Sequence, residues 1–314
     1  MQNISKKLIE FTENNKKYHS KNGKSILNFP LNIPMGVSIY DFLSDIYGKY
    51  QALVKEKMDL LVIPMENHDY LCEKFGVVCN GILDILLAYN GGRLWDAYDY
   101  LKKVIDEGAL REISIIIEKD TPQIFYRMRD EEGITDKKQF YHVPFDKMHL
   151  TKSYRFSMAG FSCLYIGCSE DVCKKEVGDK GSMIEMTLAK EMKLIDLTWS
   201  EKGNEKESYE FLLSWPLIAA CYIVPNYCLH FGKECLEIKG EFKEQYVIPQ
   251  LVSAYIRQRY SYIDGIRYYT TRYENLDPST TDYMNIALFA KYNPNEKYDM
   301  NLIGKFTFKV PYNV

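Results

Sequence analysis

No uninterrupted apolar run reaches the roughly 18 to 20 residues that a helical membrane span needs. The opening MQNISKKLIEFTENNKK has no apolar core of the kind a secretory signal carries. From these absences we expect a cytoplasmic protein with no membrane partner. There is no Walker A sequence, no GxGxxG and no GxSxG, which argues against a P-loop, a Rossmann dinucleotide site and a nucleophile-elbow hydrolase. The five histidines show neither HExxH nor zinc-finger spacing, so no metal is expected. The eight cysteines, Cys72, Cys79, Cys163, Cys168, Cys173, Cys221, Cys228 and Cys235, form no CxxC. In a chain of this size without an export signal they are expected to stay reduced, as small buried apolar residues. The net charge is −3, which leaves no bulk electrostatic footprint for nucleic acid. No internal repeat is visible.

What is present is an ordinary globular composition, 46% hydrophobic and 26% charged, over a length that suggests two domains. Residues 28–35, with Pro30 and Pro34, read as a loop. Then Tyr40, Phe42, Leu43, Ile46, Tyr47 and Tyr50 recur at helical steps. A second helical pattern covers residues 69–89 and stops at Asn90-Gly91-Gly92. A third covers residues 94–106, with Gly108 after it. Trp95, Tyr98 and Leu101 are expected to pack helix on helix. The stretch has no Arg-x4-His of helical nucleases. Residues 1–108 thus read as an all-helical domain with an assembly role, including a homo-oligomer through these helices.

Beyond Gly108 the pattern changes. Residues 112–118 and Ile124-Phe-Tyr-Arg-Met-Arg129 are β-branched or alternating runs. In alternation Phe125, Arg127 and Arg129 share one face. Strands are also expected at residues 183–188, 193–197, 262–271, 284–290 and 305–310. Helices are expected at 208–222 and 242–259, with Pro216 kinking the first or marking its first turn. Without regular βαβ alternation, residues 109–314 read as α+β.

One stretch concentrates chemistry: RFSMAGFSCLYIGCSEDVCKKEV, from Arg155 to Val177. It holds an arginine before a small-residue turn, a short apolar run with Tyr165, and a capped polar segment ending at Glu176. Taken singly, its residues are ordinary. An arginine on a strand is usually solvated or paired, a glutamate after two lysines is usually a surface charge, and a tyrosine in an apolar run is usually core.

Their order along the chain carries more. Arg127 in FYRMR, Tyr165 in CLYIG, Glu176 in CKKEV and Thr270 in DGIRYYTT resemble the RES domain, named for its Arg, Glu and Ser. Tyr141-His-Val-Pro144, Tyr246-Val-Ile-Pro-Gln250 and Asn285 in MNIALFA fit the same pattern. The resemblance covers roughly residues 120 to 292. It implies a mixed α+β core like that of ADP-ribosyltransferases, here preceded by the helical N-terminal domain. It also implies a bacterial toxin or defence effector that consumes NAD+ as substrate by breaking the nicotinamide–ribose bond, as a glycohydrolase or a phosphorylase. A further implied partner is an antitoxin with a helix-turn-helix domain. The alternatives are an ADP-ribosyltransferase acting on a protein or nucleic acid, and an interaction module with a degenerate pocket.

Physical chemistry assigns roles within that picture. Departure of nicotinamide leaves an oxocarbenium-like cation, and a carboxylate stabilises it; Glu176 is the candidate. A guanidinium fork suits the pyrophosphate; Arg127 is the candidate, with Arg155 as helper. A flat aromatic can stack on nicotinamide, a role for Tyr165 and for Tyr126. Thr270 stands where the family shows Ser, keeping the hydroxyl but adding a methyl, and Thr271 is the alternative hydroxyl. His142 is expected to be structural, and Asn285 to bond locally to backbone.

Overall fold

Ser38 starts the first long helix of the chain. Its Oγ accepts the backbone N–H of Asp41 at 3.0 Å, which satisfies one of the donors that every helix leaves unpaired at its N-terminus. A computed structural model provides the geometry and describes residues 4–20, 23–58, 63, 65–110, 113–117, 123–198, 209–225, 242–273 and 282–314. Cys228, Cys235 and His230 lie outside the described residues. One compact unit takes in Met1–Ile113, Trp199–Val252 and Tyr273–Leu276; a second takes in Ser114–Thr198, Ser253–Arg272 and Asp277–Val314.

In the first unit, α1 (Ile4–Glu13) is followed by β1 (Leu31–Ile33), α2 (Ile39–Lys57), α3 (His68–Asn90) and α4 (Leu94–Val104). The periodic residues Phe42, Leu43, Ile46, Tyr47 and Tyr50 are all buried. Gly91 and Gly92 end α3, and Gly92 takes a φ of 73° that favours glycine. Ala97, Leu101 and Val104 form the buried side of α4. A Cβ on Gly81 would lie 2.5 Å from Cγ2 of Val104, so a glycine is what lets α3 and α4 approach. Trp95 corrects the expectation of helix packing. It is 84% exposed, because it follows Leu94 at the start of α4, on the side away from the Ala97–Leu101 stripe.

Residues 31–33 also correct the sequence reading, since they form a strand and not a loop. β1 pairs in parallel with β7 (Ile223–Pro225). Pro30 and Pro34 flank the three paired residues of β1 and remove no ladder donor from it. Helix α6 (Trp215–Cys221) precedes β7, and Pro216 falls in its first turn, where a missing N–H does no harm. The phenol of Tyr47 donates to the Pro216 carbonyl at 2.8 Å and that of Tyr50 to the Leu212 carbonyl at 3.0 Å. Tyr50 also stacks on Trp215 at 4.0 Å between ring centres. Buried tyrosines thus find acceptors for their polar ends.

The second unit is built on a mixed sheet. In chain order its elements are β2 (Ser114–Ile117), β3 (Ile124–Arg129), β4 (Cys163–Gly167), α5 (Glu170–Val177), β5 (Ser182–Leu188) and β6 (Met192–Asp196). After the C-terminal part of α7 (Val247–Arg259) come β8 (Gly265–Tyr269), β9 (Met284–Phe289), α8 (Met300–Ile303), β10 (Phe306–Phe308) and β11 (Tyr312–Asn313). The strand order is β10-β5-β3-β4-β9-β8-β6-β2, with β11 also on β5. Among the described residues, only the β6–β8 pairing within this sheet is parallel. The fold is α+β. No helix among the described residues is long and apolar enough to cross a membrane.

Alternation sorts the sheet into two faces. Phe125, Leu164, Ile166, Ile184, Met186, Ile286 and Leu288 point into the main core. Register places Tyr126 against Gly167, Tyr165 against Ala287, and Asn285 against both Gly167 and Tyr268. Tyr126, Tyr165, Asn285 and Tyr268 therefore share the opposite face, where the candidate site lies.

Candidate active site

Helix α5 brings Glu176 to that face. Ser169 caps the helix, with its Oγ accepting from the Val172 N–H at 3.2 Å and donating to the Asp282 carbonyl at 2.6 Å. Gly167 sits at the join with β4. A Cβ there would lie 2.8 Å from Cys173 Sγ and 2.9 Å from Val172 Cγ1, so the helix docks on bare backbone. Cys173 is held in turn, donating to the Tyr126 carbonyl at 3.3 Å. Its thiol pKa is pushed up to about 12 by burial, so it is an inert packing group.

The Glu176 carboxylate is clamped from one side. Its Oε1 accepts from Thr270 Oγ1 at 2.6 Å and from Asn285 Nδ2 at 3.1 Å. Thr270 is fully buried, and its Oγ1 also accepts the Arg272 N–H at 3.1 Å. The hydroxyl expected in place of a serine is thus fully used, as donor and as acceptor. The other carboxylate oxygen, Oε2, faces the Arg272 Nε at 3.4 Å. This is a long contact to a side chain that is 61% exposed.

Tyr165 forms the next part of the face. Its phenol lies 2.9 Å from Ser157 Oγ, and its ring meets Tyr154 at 5.4 Å in a tilted arrangement. Burial raises the Tyr165 phenol well above its ordinary pKa, so it stays neutral. Tyr154 and Ser157 exchange backbone hydrogen bonds of 2.8 and 3.3 Å, closing a tight turn with Arg155 and Phe156 at its tip. Phe156 packs on Tyr268 at 4.6 Å. Arg155 donates to Thr271 Oγ1 at 3.3 Å. The neighbouring threonines thus serve different partners, Thr270 the carboxylate and Thr271 the arginine.

Arg127 sits where β3 and β4 part. Those strands pair at a single position, Tyr126 with Gly167, which leaves the Tyr165 carbonyl without a ladder partner from β3. The Arg127 guanidinium fills that place, donating from Nη1 to the Tyr165 carbonyl at 2.7 Å. Arg127 is 8% exposed and its Nε has no hydrogen-bond partner. Burial, with Arg129 nearby, makes its positive charge unfavourable, and no carboxylate among the described residues forms an ion pair with it. A guanidinium stays protonated at ordinary pH, so this is a buried cation that an anion would stabilise.

Of the sequence candidates, Glu176, Thr270, Thr271 and Arg155 gather at one end of the face, with Tyr165 beside the Arg155 turn and Arg127 beneath Tyr165. Tyr126 does not join them. It packs against Met128, Cys173 and Met183, and burial followed by Glu185 and Glu170 raises its phenol pKa. Asn285 was expected to serve backbone; it holds the carboxylate instead. Arg272 was not expected at all. The signal for Asn285 is its register opposite Gly167, which the sequence does not print. The signal for Arg272 is its place two residues after Thr270. His142 is embedded: Nδ1 lies 2.8 Å from the Val143 carbonyl and Nε2 accepts the Asp299 N–H at 2.9 Å. Burial lowers its pKa, which fits a neutral structural imidazole. Among the described residues no group of His, Cys, Asp or Glu is arranged for a metal ion.

Fold and site together define a mixed α+β protein with a clamped carboxylate, a buried arginine and a tyrosine wall on one sheet. No family model matches the chain, and no solved structure matches it. It is similar to a protein of Bacillus subtilis (strain 168) named "Putative toxin YopC", with 29% identity over 158 residues, which is 44% of this chain and 34% of that protein. The chain therefore matches about a third of the relative's length.

Proposed function

We propose that this protein is an NAD+-cleaving enzyme of the RES type, acting as a toxin, with an ADP-ribosyltransferase-like core around the Glu176 face. The observation that carries the reading is the Glu176 clamp. Thr270 and Asn285 hold Oε1, which leaves Oε2 as the oxygen that can meet a substrate. A carboxylate fixed in advance stabilises a developing cation without reorganising during reaction.

The C1′–N bond to nicotinamide breaks and its electron pair stays on the nicotinamide nitrogen. The positive charge passes from the pyridinium to the ribose, opposite Oε2. Water then adds at C1′ and loses a proton, giving ADP-ribose, nicotinamide and H+; phosphate is the other acceptor consistent with this chemistry. Tyr165, with Tyr154 tilted against it, offers an aromatic surface for the departing ring. Arg127, buried where β3 and β4 part and without a carboxylate among the described residues, would be stabilised by an anion such as the pyrophosphate, and Arg155 stands at the nearby turn. The name of the Bacillus subtilis relative supports a toxin role, and loss of NAD+ would supply toxicity. An antitoxin would then be needed as a partner.

The test is to incubate the purified full chain with NAD+, with and without phosphate, and follow free nicotinamide. Release is expected in at least one condition. A folded protein that releases none refutes the reading. Adenylate label that moves onto protein or nucleic acid would make it a transferase instead.

A further inference from the structure

The two oxygens of Glu176 have unlike surroundings. Oε1 is committed to Thr270 and Asn285 on the sheet side. Among the described residues, Oε2 meets only a long contact to Arg272, whose side chain is 61% exposed against 33% for Glu176. Arg272 is tied to the clamp by its main chain, since its N–H donates to Thr270 Oγ1 at 3.1 Å. Its backbone is thus anchored while its guanidinium can turn out into solvent.

We propose that Arg272 is the resting counter-ion of Glu176, held at the place where the ribose cation develops, and that substrate exchanges with it. The proposal rests on the NAD+-cleaving reading. A cationic guanidinium on Oε2 marks the direction in which this carboxylate accepts positive charge. The same direction must be open to C1′ during reaction, so guanidinium and ribose cannot both hold it. A 3.4 Å pair with an exposed partner belongs to the weak class of surface ion pairs. Exchange is therefore easy, and it acts on substrate binding while leaving the chemical step alone. Arg272 is a positioning residue in this account, because it leaves Oε2 before the reacting atoms arrive.

The experiment compares the wild-type full chain with Arg272→Ala and Arg272→Lys by nicotinamide release over a range of NAD+. Arg272→Ala should lower KM about two- to fivefold, the span of a weak exposed pair, with kcat changed less than twofold. Arg272→Lys should lie between the two. A raised KM would make Arg272 a substrate-binding arginine and overturn the proposal, as would a lowered kcat at constant KM. A second measurement needs no turnover. Glu176 is labelled with a neutral carbodiimide and an amine, and its rate is read by peptide mass spectrometry. Labelling should be several-fold faster in Arg272→Ala, and equal rates overturn the counter-ion. An inactive wild type overturns the reaction and with it substrate exchange. An active wild type whose KM and labelling both ignore Arg272 overturns this proposal alone.

Discussion

Replacing Thr270 by valine removes a hydroxyl and preserves the shape of the side chain. That hydroxyl donates to Glu176 Oε1 at 2.6 Å and accepts the Arg272 N–H at 3.1 Å, in a side chain with no exposure. A hydrogen bond to a charged group is worth about 1.5–3 kcal/mol. If the clamp orients the carboxylate for reaction, that amount appears in the barrier, and about 1.36 kcal/mol corresponds to a factor of ten in rate. Thr270→Val should therefore lower kcat about ten- to a hundredfold. Asn285 still holds Oε1 at 3.1 Å, which favours the lower end. Thr270→Ser retains the hydroxyl and loses one buried methyl, about 0.8 kcal/mol of burial, so it should stay within a few-fold of wild-type activity with a small loss of stability. The assay is nicotinamide release, run beside thermal unfolding of the same samples. A Thr270→Val protein that folds and turns over like wild type would refute the claim that this hydroxyl orients the carboxylate.

Arg127→Met should separate stability from activity. It removes a buried cation that has no carboxylate partner and leaves the Tyr165 carbonyl unpaired, effects that oppose each other. The unfolding midpoint is expected to stay or rise while NAD+ affinity, measured by calorimetry with an inert analogue, falls at least tenfold. Gly167→Ala should push α5 off β4, since the new methyl would stand 2.8 Å from Cys173 Sγ. A loss of about 1–3 kcal/mol in denaturant unfolding is expected, with activity falling further than that of a surface control.

Much of the fold is written locally in the sequence. Ser38 and Ser169 announce helix starts by their side-chain chemistry. Residues 124–129, 182–188 and 284–289 are strands near where alternation and β-branching put them. The β1 strand escaped notice because Pro30 and Pro34 dominate a short window, and its pairing with β7 is nearly two hundred residues away in sequence. Trp95 shows the converse: size and apolarity do not fix a side when a residue begins a helix.

The candidate site was legible through the order of its residues along the chain, since taken singly they are ordinary. Glu176, Thr270 and Thr271 stood out through the resemblance that their order carries, and they occupy one cluster. Asn285 and Arg272 complete that cluster through β-sheet register and a turn, which depend on contacts a hundred residues apart. Tyr126 shows what alternation alone cannot decide. It shares a face with Tyr165, yet α5 covers it, and only the docking of that helix on Gly167 determines which tyrosine remains at the site.

The most direct test compares wild type with Glu176→Gln. The substitution removes the negative charge while keeping an oxygen that can accept from Thr270 and Asn285, in a side chain a third exposed. The fold should be unaffected. Nicotinamide release from NAD+ is expected in wild type and should fall at least a thousandfold in Glu176→Gln. Release at the wild-type rate from a folded Glu176→Gln protein would contradict the central claim.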